Sequence, residues 1–127
     1  MNLMPLADLL EGESVGVRGE SIFLNMMPAE AESAILLRNP LSGARINYEM
    51  PGYFRTEFQL IVRGHSYAET ETLMNRVIAI LTLNETQVED AYFKFSRPKT
   101  EPVAYPLSKG NLIEFNAMFE VTYVKAP

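Results

Sequence analysis

The stretch PGYFRTEFQLIVRGHSYAETETLMNRVIAILTL, Pro51 to Leu83, decides the fold. Its first part alternates. Phe54, Thr56, Phe58, Leu60 and Val62 point one way, and Arg55, Glu57, Gln59 and Arg63 the other, with Ile61 among them. That period of two marks a strand with one buried and one polar face. Gly64-His65 turns a corner. Ser66 precedes Glu69 by the spacing of a capping box, in which the hydroxyl accepts from the backbone and the carboxylate reaches back. Glu69 and Glu71 also suit the positive end of a helix dipole. Leu73, Met74, Val77, Ile78, Ile80 and Leu81 continue as an apolar face up to a stop at Asn84. The spacing predicts a helix over Ser66–Leu83.

Outward from this core, residues 2–11 place Leu3, Leu6, Leu9 and Leu10 on one helical stripe. Pro5 is tolerated only in the first turn, so the helix starts at Leu3 or Met4, and Gly12 stops it. Ser21–Met27 and Ser33–Arg38 read as two strands joined into a hairpin by the Pro28–Glu32 turn. Residues 39–52 carry the turn signals Asn39-Pro40, Ser42-Gly43 and Pro51-Gly52 and read as an extended arm or loop. Gln87–Arg97 alternates with Ala91, Phe93 and Phe95 on one face and Tyr92 and Lys94 on the other, and reads as one strand. Pro98, Pro102 and Pro106 make 98–110 an irregular loop. Asn111–Val124 is a long strand with Ile113, Phe115, Ala117, Phe119, Val121 and Tyr123 on one face. Its antiparallel partner is Tyr53–Arg63, and the 66–83 helix covers their common aromatic face. The class is α+β: a mainly antiparallel sheet packed against one long helix and a short N-terminal helix, in a single domain over residues 1–127.

Composition narrows the function. The chain has 127 residues, no cysteine and a formal charge of −5. Disulfides, thiolate zinc sites and cysteine nucleophiles are therefore excluded. A strongly basic footprint for duplex nucleic acid is missing. No apolar run is long enough to cross a bilayer, and no basic region precedes the first apolar residues as in a signal peptide, so a cytoplasmic product with no membrane partner is expected. The charge is uneven. Before Arg38 stand Asp8, Glu11, Glu13, Glu20, Glu30 and Glu32 against Arg18 alone, whereas Arg38, Arg45, Arg55 and Arg63 face only Glu49 and Glu57. Such blocks are either solvated faces or complementary patches between subunits. Met26, Met27, Met50 and Met118 either fill the core or adapt to a neighbouring subunit.

Catalytic patterns do not assemble. His65 is the one histidine and reads as a corner residue. The paired acids Glu11/Glu13, Glu30/Glu32, Glu69/Glu71 and Glu89/Asp90 have no neighbouring base to set one carboxyl against the other. Phosphate-cradling glycine motifs and nucleophile elbows do not occur. Phe93 and Phe95 with Lys94 and Arg97 suggest a base-stacking strand, but Glu85, Glu89 and Asp90 surround it, and core packing is the better account of both rings. No cofactor or metal is expected, and no enzymatic activity.

SAILLRNP, then an arm, then PGYFRTEFQLIVRG, then SYAETETLMNRVIAIL resembles the tail terminator or minor capsid protein family of tailed bacteriophages. The matching positions are Leu36, Leu37 and Arg38, then Pro51, Gly52, Tyr53 and Arg55, then Phe58 to Arg63. The resemblance implies a structural virion protein, a single tail-terminator-like domain that forms a hexameric ring. The ring caps the tail tube, ends its polymerisation and joins it to the head connector. The implied partners are further copies of the chain, the tail tube protein, head–tail connector proteins and genomic DNA passing through the lumen without specific binding. The implied location is the virion, after assembly in the host cytoplasm. A head-completion or connector protein is the alternative in the same setting, and a small ligand-binding or enzymatic α+β domain the alternative outside it. A ring needs two different patches that meet. Arg38, Arg45, Tyr48, Arg55, Glu57, Gln59 and Arg63, on the arm and the polar strand face, are the expected subunit-interface residues. The acidic N-terminal third is expected to supply the opposing patch.

Overall fold

The computed structural model describes residues 1–40, 48–106 and 111–125. The strand, corner and helix at its centre form as their periodicity dictates. β3 spans Tyr53–Gly64, and α2 spans Tyr67–Leu81. The Ser66 hydroxyl accepts from the Glu69 backbone N–H at 3.4 Å and caps α2. Thr70, Met74, Val77 and Leu81 form its fully buried stripe, at helical spacing. The corner requires glycine. A Cβ on Gly64 would lie 2.3 Å from the Thr70 Oγ1, which donates to the Ser66 carbonyl at 2.6 Å.

α1 (Met4–Gly12) lies where its leucine stripe places it and buries Leu6 and Leu10. The strands β1 (Ile22–Leu24), β2 (Ala34–Arg38), β4 (Leu83–Val88), β5 (Ala91–Pro98), β6 (Val103–Pro106) and β7 (Ile113–Lys125) join β3 in a sheet of order β1-β2-β3-β7-β5-β4. β6 pairs with the start of β7, beyond the part of β7 that β5 pairs. β3 and β7 pair antiparallel from Tyr53↔Val124 to Gly64↔Ile113. Both helices pack on one face of the sheet. Phe58 and Phe119 stack there at 4.9 Å, and Phe54 on Tyr123 at 5.1 Å. Leu6, Leu10, Leu37, Leu60, Val62, Phe93 and Phe115 complete this core. Each such side chain stabilises the fold by roughly 1.5–3 kcal/mol through burial.

Four expectations are corrected. β1 and β2 are parallel, not a hairpin, with Ile22↔Ile35 and Leu24↔Leu37 in register. Asn25 takes a left-handed conformation (φ 64°) and leads the chain out of the sheet. The Pro28–Ala31 turn is then held by Arg63, which donates to the Ala31 carbonyl at 2.9 Å, so β2 starts beside the start of β1. The Ser21–Met27 strand shrinks to Ile22–Leu24 for the same reason. Gln87–Arg97 is two strands, because Glu89 (φ 53°) and Asp90 form a two-residue hairpin turn between Val88 and Ala91. A register shift between Phe93 and Phe95 then buries Ser96 and leaves Phe95 only half-buried. The 98–110 segment contains β6, an edge strand bounded by Pro102 and ending at Pro106, as proline allows at an edge.

Candidate assembly surface

The helices cover one face of the sheet, and the opposite face carries the polar side of β3 and β7. The register lays it out in rows. Arg63 stands opposite Glu114, and its Nε and a terminal nitrogen lie 2.8 and 2.7 Å from the Glu114 Oε2. Leu36, Ile61, Asn116 and Val103 form the next row, with Leu36 and Ile61 buried despite facing away from the helices. Arg38, Gln59 and Met118 follow. The Arg38 guanidinium donates to the Gln59 Oε1 at 2.5 Å, and the Gln59 Nε2 donates to the Asn116 Oδ1 at 2.5 Å. A guanidinium can only donate, so it sets the direction of this relay across three strands. Glu57 and Glu120 are register partners, and like charges in that position repel. Lys99 binds Glu57 and Arg97 binds Glu120, each at 2.6 Å, and offset the repulsion. The hydrogen bond to Glu57 raises the Lys99 pKa. Arg97 also lies 4.3 Å from the centre of the Phe95 ring, a cation–π contact.

The expected interface residues separate in this geometry. Arg38, Arg55, Glu57 and Gln59 do share the uncovered face. Arg55 is exposed and makes no ion pair among the described residues. Tyr48, within the expected arm, is 86% exposed. Arg63 is largely buried, at 13% side-chain exposure, and binds Glu114 and the 28–31 turn. Arg45 and residues 41–47 of the expected arm lie outside the described residues, as do residues 107–110 of the expected loop. The arm ends are anchored. Asn39 donates to the Met1 carbonyl at 2.9 Å, and the Gly52 carbonyl accepts from the Lys125 N–H at 2.7 Å. Sequence reasoning missed Arg97, Lys99, Glu114, Asn116 and Glu120. The positions between the core residues of β7 signal its three, but only the sheet order brings Arg97 and Lys99 to this face.

The acidic N-terminal third is partly neutralised within the chain. Asp8 pairs with Arg18 at 3.0 Å, and the Glu11 carboxylate accepts from the Arg18 N–H at 2.9 Å. Glu32 and His65 form an exposed pair at 3.2 Å. The hydrogen bond with Asp8 is the main cause holding the Glu89 carboxyl above its usual range, with desolvation and the Asp8 and Asp90 charges adding to it. Glu20 and Glu30 are exposed with no ion-pair partner among the described residues. Among those residues no group of three or more His, Asp or Glu side chains is placed to hold a metal ion, and no helix is long and apolar enough to cross a membrane.

A chain in the virion of a native gene transfer agent particle shares the fold, with a TM-score of 0.60 at 13% identity over 94% of this chain and 84% of that one. No curated protein matches by sequence. The family of bacteriophage tail terminator proteins matches residues 9–125. The chain therefore belongs to the bacteriophage tail terminator protein family and is a structural protein of the virion tail.

Proposed function

We propose that copies of this chain, each a single tail-terminator-like domain, close into a hexameric ring. The ring caps the tail tube, ends its polymerisation and joins it to the head connector. The match to the tail terminator family over residues 9–125 carries this reading. The sheet face opposite the helices supports it, because no helix among the described residues covers it and it can meet another surface. Arg38, Tyr48, Arg55, Glu57 and Gln59, with Arg45 in the arm, form one half of the subunit contact. The acidic N-terminal third forms the other half, so the contact joins unlike patches and can repeat around a ring. Arg63 acts in this interface through the turn it holds. The tail tube protein and the connector proteins bind the two sides of the ring, and assembly takes place in the host cytoplasm. The net charge of −5 suits a lumen through which DNA slides without specific binding.

Negative-stain electron microscopy of the purified protein, alone and with tail tubes, tests this function. Annular particles at the tube ends are expected. A strict monomer at high concentration that also forms no rings alongside tubes overturns it.

A further inference from the structure

Phe23, Leu36, Ile61, Asn116 and Val103 are successive register partners across β1, β2, β3, β7 and β6. β1 and β6 are therefore the two edges of this part of the sheet, four strand spacings or about 19 Å apart. Of eight large exposed hydrophobic residues among those described, five lie at these edges. Met4, Val17 and Met26 are at the β1 side, with Met26 81% exposed, and Val103 and Tyr105 belong to β6. Scattered exposed apolar residues are ordinary, but two clusters on opposite edges are not.

The edges differ in kind. At β1 three outward backbone groups are already bonded. The Ile22 N–H donates to the Val17 carbonyl at 3.0 Å, the Ile22 carbonyl accepts from the Gly19 N–H at 2.9 Å, and the Leu24 carbonyl accepts from the Met26 N–H at 2.7 Å. Another strand cannot add to these groups, so β1 offers side chains. At β6 the uncovered face forms a groove of about 410 Å³, with Val103, Tyr105 and Met118 as apolar lining over Gln59 and Asn116. The relay from Arg38 through Gln59 occupies the Asn116 Oδ1 and leaves its amide nitrogen as a donor beside this groove, which no carboxylate of the described residues lines. Glu20, exposed in the loop that caps β1, supplies the complementary charge.

We infer that the β1 edge of one copy seats in the β6 groove of the next. The Met26 thioether packs between Val103 and Tyr105, and Glu20 faces the Asn116 donor. The unbranched methionine side chain suits an irregular groove. The inference rests on the ring reading above and names the contact that builds the ring. Because the patches lie on opposite edges, the contact repeats head to tail.

The chain contains no cysteine, so introduced thiols report one contact only. Under mild oxidation the Met26→Cys/Val103→Cys double variant is expected to give a covalent ladder on a non-reducing gel, and either single variant none. Met26→Glu is expected to lower the ring fraction at least tenfold while circular dichroism and Tm stay as in the parent protein. If the double variant misfolds, Met26→Glu and Val103→Asp provide the readout. Rings that persist in these variants and give no ladder overturn this contact and leave the ring reading standing. A parent protein that forms no ring under any condition overturns both.

Discussion

Arg63 of β3 and Glu114 of β7 are register partners joined by two nitrogens on one carboxylate oxygen, at 2.8 and 2.7 Å, with side-chain exposures of only 13% and 15%. The same guanidinium holds the Pro28–Ala31 turn over the sheet, with a 2.9 Å bond to the Ala31 carbonyl. Removing one member of such a pair leaves a buried charge unpaired. Arg63→Met is expected to lower unfolding stability by about 3 kcal/mol in urea titrations. The Arg63→Met/Glu114→Met double variant should recover most of that loss. A double variant no better than the single one would show that turn anchoring, rather than charge pairing, dominates.

Gly52 closes the base of the arm in a left-handed conformation (φ 84°), and a Cβ there would lie 2.7 Å from the Lys125 carbonyl oxygen. Gly52→Ala therefore meets both backbone strain and a clash with backbone. A loss of roughly 1–3 kcal/mol is expected, visible as a lowered Tm. An unchanged Tm would mean that this junction is not ordered as described.

The Glu89 carboxyl has its pKa raised from 4.5, chiefly by the hydrogen bond with Asp8. The folded state thus holds this proton more tightly than the unfolded chain. The group contributes stability at pH below 4.5, and the contribution is lost as pH rises through the raised value. Glu89→Gln is expected to raise Tm at neutral pH and to leave it unchanged well below pH 4.5, as thermal melts across pH would record. An equal effect at both ends would rule out this titration.

Arg55 is exposed and unpaired among the described residues, so Arg55→Glu should change folding stability by no more than about 0.5 kcal/mol. In the proposed interface it reverses a charge facing the acidic third of the next copy. Light scattering is expected to show a smaller ring fraction with an unchanged melt. Normal assembly of this variant would remove Arg55 from the contact.

The pairing of β3 with β7 and the placement of α2 were legible because their signals are long. Alternation over Phe54–Val62 and over Phe115–Tyr123 fixes which face of each strand meets α2. The candidate surface was half legible for the same reason. The polar side of β3 was plain, but its partners Lys99, Glu114 and Asn116 come from sequence positions far away.

Local periodicity by itself therefore determined the central strands, both helices and the face each buries. Only the tertiary structure decided the direction of β1, the hairpin at Glu89-Asp90, the small strand β6 and the partner of Arg63. The physical reason is that a three-residue strand loses little by pairing in parallel rather than antiparallel. The choice falls to distant groups such as the Arg63 guanidinium on the 28–31 turn, which no local pattern records. The arginine that reads in sequence as a subunit-interface residue binds, in the folded chain, both Glu114 and the 28–31 turn between β1 and β2.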